Sequence, residues 1–398
     1  MKPTFSKRIQ WGMEENDLAQ ALARKRRAGV PVLDLTESNP TRAGLSYPSA
    51  EIRKSFDDEA LLHYAPDPRG GRAVREAVSH YYRERGADVH LDEIFLTAST
   101  SEAYGFLFKL LCDAGDEVLV PRPSYPLFDF LAALDAVKPV SYPLRFDGAW
   151  NMDFGALEAS LSEKSRAIVA VHPNNPTGSY VSSEDRERLL TLSADRGLAL
   201  IVDEVFLDFP LSKTAAAETF AGSTPGLVFV LSGLSKLAGL PQMKLGWIVV
   251  SGERENRKEA ALRLEHIADS YLSVGAPVQI AAPALLRLAP EMRRLISERT
   301  LRNLDSLRGV VASAPTVTLP IPEAGWYAAI RLPAVRSSEE WALSLLEDDS
   351  IYVHPGRFFG FDVEAYLVVS LLTPEDAFEE GVRRILRAVS HELDSPLE

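Results

Sequence analysis

The sequence predicts an α/β protein. It reads as a large domain with a mostly parallel sheet sandwiched by helices, followed by a smaller α+β domain. Three observations carry this. Between about residues 90 and 250, short apolar or β-branched runs alternate with longer stretches of helical period, the pattern of a sheet wound with helices. The strand-like runs are continuously apolar, as in strands covered on both faces. The chain has 398 residues, more than one ordinary core holds, so a second domain is expected.

Taken in order, the strands read as EIFLTA (93–98), EVLVPR (117–122), AIVAVH (167–172), LALIVDEV (198–205), LVFVLS (227–232) and LGWIVVS (245–251). The spacing of apolar residues predicts helices over 101–112, 125–136 and 182–196, with a short one over 214–221. After residue 252 the character changes. ERENRKEAALRLEHIADSYL is a charged amphipathic helix, and a second long helix is expected from PEMRRLISERT onward. Short strands follow at 326–332, 351–356 and 365–372. A last helix over 374–393 opens with Pro374 in its first turn. There are no repeats and no low-complexity tract.

The net charge is −13, which argues against a nucleic-acid partner. The basic run ARKRRAG (23–29) ends a helical pattern, where cations meet the negative end of the helix dipole. The single cysteine, Cys112, lies in an apolar pattern and reads as a buried small hydrophobe. It excludes an intrachain disulfide and a cysteine metal cluster. MKPTFSKRIQWG has no apolar signal core, and no run approaches the length of a membrane span. No membrane role is expected, and the cytoplasm is the expected compartment.

In an open α/β sheet, ligands sit beyond the carboxyl ends of the strands. The residues at those ends are Ser99–Thr100–Ser101, Pro123–Ser124–Tyr125, Asn174–Asn175–Pro176–Thr177–Gly178, Asp203 and Ser235–Lys236. Lys236 and Lys244 stand together in SGLSKLAGLPQMKLGW, a run otherwise apolar, small or glycine. Buried lysines are costly and rare. A buried amine loses basicity and can form a Schiff base. Pyridoxal phosphate needs such a lysine, and a carboxylate to keep its pyridine nitrogen protonated. Asp203 suits the second task. Asn175 suits the ring's phenolic oxygen, and Tyr125 its face. Ser99, Thr100 and Ser101 open a helix and suit a phosphate. Singly, each has a plainer reading: a loop cap, a turn in NNPTG, an N-cap with Glu102 in the first turn, a packed aromatic. Their order and common location favour the joint reading.

On these residues the chain resembles the class I/II aminotransferases, fold-type I pyridoxal-phosphate enzymes. The resemblance runs over roughly residues 30–395. HYAPDPRGGRAVREAVSHYY (63–82), TASTSEA, PRPSYP, HPNNPTG, VDEVF, SGLSK and HPGRFFG (354–360) each match a family motif. The resemblance implies Lys236 as the covalent lysine and Asp203 as the pyridine partner. It implies Ser99, Thr100, Ser101, Tyr125, Asn175, Ser235 and Lys244 around the cofactor. Tyr64 would reach the phosphate in the partner subunit of a homodimer. The implied substrates are an amino acid and a 2-oxo acid, with no metal. The implied division is an N-terminal segment (1–45) packing with the small domain, a large cofactor domain (46–275) and a small C-terminal domain (276–398).

Three positions depart from the family. Lys244 replaces an arginine that clamps the phosphate, keeping the charge but losing the bidentate fork. Phe206 replaces a tyrosine that bonds the phenolic oxygen. Val368, in AYLVVSLL, replaces the arginine that fixes the substrate's α-carboxylate. Arg357 in HPGRFFG is expected as the substitute anchor, with Arg42 second and Ser38 beside the substrate. The same holding residues also fit a decarboxylase, a β/γ-lyase or a non-catalytic binding protein.

Overall fold

The computed structural model describes residues 5–9, 16–212, 217–361 and 365–394. Its strands are β1 (Leu33–Asp34), β2 (Ile94–Thr97), β3 (Glu117–Arg122), β4 (Lys138–Phe146), β5 (Trp150–Met152), β6 (Ser165–Val171), β7 (Ala199–Asp203), β8 (Leu227–Gly233), β9 (Gly246–Gly252), β10 (Tyr327–Arg331), β11 (Ile351–Tyr352), β12 (His354–Pro355) and β13 (Tyr366–Ser370). Eight form one sheet in the order β2-β9-β8-β7-β6-β3-β4-β5. The central run from β4 to β8 is parallel. β9 is antiparallel to both β8 and β2.

The alternation of side chains along each strand builds two cores. Ile168, Leu200, Val202, Val228 and Val230 enter the core on one face. Their neighbours Val169, Ile201, Phe229 and Leu231 enter the core on the other. The middles of β6, β7 and β8 are thus apolar on both sides because each face carries its own core.

A third core holds the second domain, around the three-stranded antiparallel sheet β10-β13-β12. The helix Asp17–Arg27 joins it through Leu18, Ala21 and Leu22. The short pair β1–β11 ties that N-terminal stretch to the C-terminal part.

Several elements differ from what the sequence predicts. The strand β4 was not expected, because its KPVSYPLRF carries two prolines and is only partly buried. The long helix runs as one element, Ala276–Val311, through Pro283 and Pro290, where the sequence suggests a start at Pro290. A proline inside a helix costs about 3 kcal/mol. Full burial of Leu285, Met292, Ile296 and Leu304 returns about 1.5–3 kcal/mol each, so packing prevails. Its first half packs in the large domain through Ala281, Ala282 and Leu285, and its last turns pack in the small one through Leu304 and Leu307. Of the expected helix over 214–221, residues 217–221 are not helical and 213–216 lie outside the described residues.

Candidate active site

Lys236 sits in a single helical turn, Leu234–Leu237, at the end of β8. The turn is held where Gly233 approaches β9 so closely that a Cβ would lie 2.7 Å from the carbonyl oxygen of Leu245. The ammonium of Lys236 stands 5.0 Å from the ring centre of Trp326 and 5.4 Å from that of Phe206. Burial lowers its pKa to about 8, opposed in part by the charge of Asp203.

Asp203 ends β7 and is 6% exposed. Its Oδ1 accepts from the backbone N–H of Val205 at 3.1 Å, and its Oδ2 accepts from the Tyr104 hydroxyl at 3.2 Å. Burial raises its pKa to about 6, with the Val205 and Tyr104 bonds and the charge of Lys236 pulling the other way. An acid and a base in one dry site thus approach each other in pKa, a common mark of catalytic centres.

The two asparagines of HPNNPTG divide the labour. Asn174 is structural: it donates to the Pro123 carbonyl at 3.0 Å and to Thr177 Oγ1 at 2.8 Å, and accepts from Ser124 at 2.7 Å. It pins the loop of Tyr125 against its own. Asn175 is 7% exposed, and its Oδ1 is buried with no hydrogen-bond partner. Tyr125 is half-buried, edge-on to Phe128 at 6.2 Å.

Ser99 caps the helix Thr100–Leu111 by accepting from the Glu102 N–H at 3.2 Å. Glu102 reaches back to the Ala98 N–H at 2.7 Å, which fastens the turn and leaves the first helical N–H groups for an anion. β9 lies against this turn: a Cβ on Gly246 would meet Thr100 N at 3.2 Å. Thr100, Ser101 and Ser235 are half-buried nearby in sequence and fold. Lys244 ends a 3₁₀ turn in the left-handed region, φ 51°, and is exposed.

Three residues of the site escaped the sequence reading. Tyr104 and Trp326 are described above. Tyr327 follows Trp326, is edge-on to Phe206 at 6.1 Å, and its hydroxyl bonds Ser38. Ser38 therefore reaches the site through Tyr327. The clue for Tyr104 was its helical spacing from Ser99, which turns its side chain under β7. Trp326 precedes β10 and Tyr327 begins it, far along the chain from Lys236, so nothing local marked them.

Arg357 is a correction. Its side chain is three-quarters exposed and pairs with Glu339 at 3.3 Å. Gly356 packs so tightly on Tyr366 that a Cβ would lie 2.7 Å from the Tyr366 Cβ, and Phe359 takes the inward place. The turn therefore points Arg357 outward. Arg42 is also exposed. Tyr64 is 86% exposed.

The donor set fits pyridoxal phosphate. A buried carboxylate awaits a cation, a buried amide oxygen has no partner, and a helix start is open to an anion. Asn175 turned by half a rotation offers an N–H where its oxygen now stands. Among the described residues no group of His, Cys, Asp or Glu is arranged to hold a metal.

The family model for aminotransferase class I and II matches residues 30–385. The glutamate-pyruvate aminotransferase AlaA of Haemophilus influenzae is 25% identical over 370 residues, 91% of each chain. The aspartate aminotransferase of Pyrococcus horikoshii is 26% identical over 346 residues, 86% of this chain and 87% of its own. Among solved structures, the alanine aminotransferase from Pyrococcus furiosus superimposes with a TM-score of 0.88 at 22% identity, covering 98% of this chain and all of that one. With a joint match of motifs, fold and family model over almost its whole length, the chain belongs to the class I and II aminotransferases.

Proposed function

We propose that this aminotransferase uses pyridoxal 5'-phosphate, held by Lys236, to move an amino group between an amino acid and a 2-oxo acid. The observation that carries the reading is the electrostatic coupling of Lys236 and Asp203 at the ends of the neighbouring strands β8 and β7, with a buried, unsatisfied Asn175 oxygen after the adjoining β6. When bound, the cofactor supplies a carbonyl for the amine and a ring that accepts electrons. Asp203 would pair with the ring nitrogen and keep it protonated. Asn175 would donate to the phenolic oxygen, and Tyr125 would cover the ring. Ser99, Thr100, Ser101, Ser235 and Lys244 would hold the phosphate.

Lys236 would hold the cofactor covalently, and its free amine would carry the proton from the substrate carbon. Its pKa of about 8 leaves a substantial neutral fraction near neutral pH, as a general base requires. Phe206 and Trp326 keep water from that amine.

The protein acts as a homodimer in the cytoplasm. Leu62 is 85% exposed and Tyr64 86%, large apolar groups on one loop that a partner subunit would cover. Tyr64 then reaches the partner's phosphate.

The test is to mix pure holoenzyme with a panel of amines and follow the cofactor spectrum. Conversion to pyridoxamine phosphate with release of a carbonyl product is expected. Carbon dioxide or an eliminated group without that conversion points to a decarboxylase or lyase, and no change at all to a binding protein.

A further inference from the structure

We infer that this enzyme selects amines that carry a second, cationic nitrogen, an ammonium or a guanidinium, and that Glu37 is the residue that recognises it. The inference rests on the aminotransferase reading above and concerns which substrates that site accepts.

The segment of Glu37 and Ser38 is fixed at the site from two sides. On one side it follows the end of β13. The Ser370 N–H donates to the Leu35 carbonyl at 2.7 Å, and the Ser370 hydroxyl to the Glu37 carbonyl at 2.7 Å. Ser370 stands opposite Tyr327, whose hydroxyl bonds Ser38. The Tyr327 ring is edge-on to Phe206, which lies beside the Lys236 ammonium. On the other side the segment packs on the turn that follows Lys236. The Tyr47 hydroxyl donates to the Gly239 carbonyl at 2.6 Å, and a Cβ on Gly239 would meet Pro40 at 3.6 Å. The Gly239 N–H in turn donates to the Lys236 carbonyl at 3.0 Å. The stretch from Glu37 to Tyr47 therefore borders the reactive amine.

Glu37 brings a charge that the fold itself does not use. The residue is half-buried, and its Oε1 accepts from the Asn39 N–H at 2.9 Å. Among the described residues its carboxylate has no other hydrogen bond and no ion pair. An uncharged amide would accept the Asn39 bond equally well, so the turn does not require the charge. The nearby arginines are spent elsewhere: Arg42 is exposed, and Arg299 bonds Glu375 and the carbonyls of Ala43 and Leu372. The charge is nevertheless felt inside the site. Burial raises the pKa of the Tyr327 hydroxyl, the Ser38 bond lowers it, and the Glu37 charge raises it. A partly enclosed carboxylate without a cation is costly; the substrate supplies the cation.

The surroundings suit a cation on an aliphatic stem. Aromatic rings attract cations, and Tyr327 and Phe206 line the way from Ser38 to Lys236. Tyr125 belongs to the same group: burial raises its pKa to about 12, and the neighbouring Tyr327 and Asp203 add to the rise. Ala329 and Val368 form the next pair on the sheet face that carries Tyr327 and Ser370, and both are buried and uncharged. An anionic group there would lose its water and gain no partner. The net charge of −13 draws cations toward the molecule. The two nitrogens of the substrate thus have separate tasks. One, as the free amine, reacts at Lys236; the other stays protonated and pairs with Glu37.

The test uses the holoenzyme and two matched donor pairs, 1,5-diaminopentane against pentylamine and lysine against norleucine. The members of each pair differ only in the terminal nitrogen. The half-reaction is followed by the cofactor spectrum, and binding of unreactive pentylguanidine by calorimetry. The cationic member of each pair should show a KM at least tenfold below its partner, an advantage that shrinks as salt is raised. Glu37→Gln keeps the acceptor for Asn39. It should raise the KM of the cationic donors ten- to a hundredfold, erase the difference within each pair and abolish pentylguanidine binding, with the resting cofactor spectrum as in the parent. If the members of each pair have equal KM in the parent, or if Glu37→Gln shifts both members alike, the inference is overturned while the aminotransferase reading stands. If no donor, alanine and glutamate included, converts the cofactor, both fail together.

Discussion

The Tyr104 hydroxyl donates to Asp203 Oδ2 at 3.2 Å, and both groups are closed off from solvent. The contact joins the helix that opens at Ser99 to the strand that ends at Asp203. One helix therefore presents its open N–H groups at its start and steadies the Asp203 carboxylate through Tyr104, five residues after Ser99.

Tyr104→Phe removes that donor and little else. A hydrogen bond to a charged group contributes about 1.5–3 kcal/mol, so the Asp203 carboxylate becomes less stable and its pKa rises further above about 6. The expected result is a roughly tenfold or greater loss in the rate of proton removal from the substrate carbon, with the far-ultraviolet spectrum unchanged. A deuterium-labelled donor in stopped flow measures it.

Lys236→Ala should abolish both turnover and the borohydride-reducible cofactor adduct. In the cofactor-free protein the Lys236 amine should titrate near pH 8, below an ordinary lysine. Below that pH it is an ammonium and unreactive; above it, it is a free amine. Reductive labelling with ¹³C-formaldehyde, followed by the pH dependence of the methyl shift, reads this directly. A midpoint above 10 would contradict the buried setting.

Asp203→Asn should keep some cofactor bound and slow α-proton removal by orders of magnitude, because a neutral amide does not hold the pyridine nitrogen protonated. Single-turnover kinetics at saturating donor check this. A variant nearly as fast as the parent sinks the assigned role.

Phe206→Tyr places a hydroxyl where the family carries one, against Trp326 at 5.3 Å between ring centres. A second donor to the phenolic oxygen stabilises its ionised form. The cofactor's spectral midpoint should therefore fall to lower pH. An unchanged midpoint rules out the contact.

Leu62→Asp puts a charge into the surface proposed as the subunit contact. Sedimentation should show a shift from dimer to monomer, with activity lost in parallel. A fully active monomeric parent protein removes the shared-site proposal.

The strand ends were legible because continuous apolar runs such as ALIVD and VFVL carry their own punctuation. Lys236 and Asp203 were legible as site candidates for the same reason: a charged residue at the edge of such a run is expensive to bury. Arg357 misled because sequence gives a residue's neighbours but not its direction, and the tight seat of Gly356 on Tyr366 decided that direction. Tyr104 and Trp326 were invisible for a different reason. Their partners are Asp203 and Lys236, far off in sequence and brought near by the sheet. The unsatisfied Asn175 oxygen likewise becomes visible only when burial is known.

Ile94 pairs with Val249, and Thr97 with Gly246. The turn at Ser99–Ser101 thus sits on the seam of the large sheet that closes last in chain order. While the chain is being synthesised, β8 keeps an open edge until β9 emerges, and β2 waits for most of the large domain. Such long-range closures fold slowly, and open edges attract other chains. A ligand that spans Ser99–Ser101 and Lys236 binds only after the seam has shut, and mass action then draws the population toward the closed form. The soluble yield of this protein in a host cell should therefore follow the host's supply of vitamin B6, quite apart from any need for catalysis.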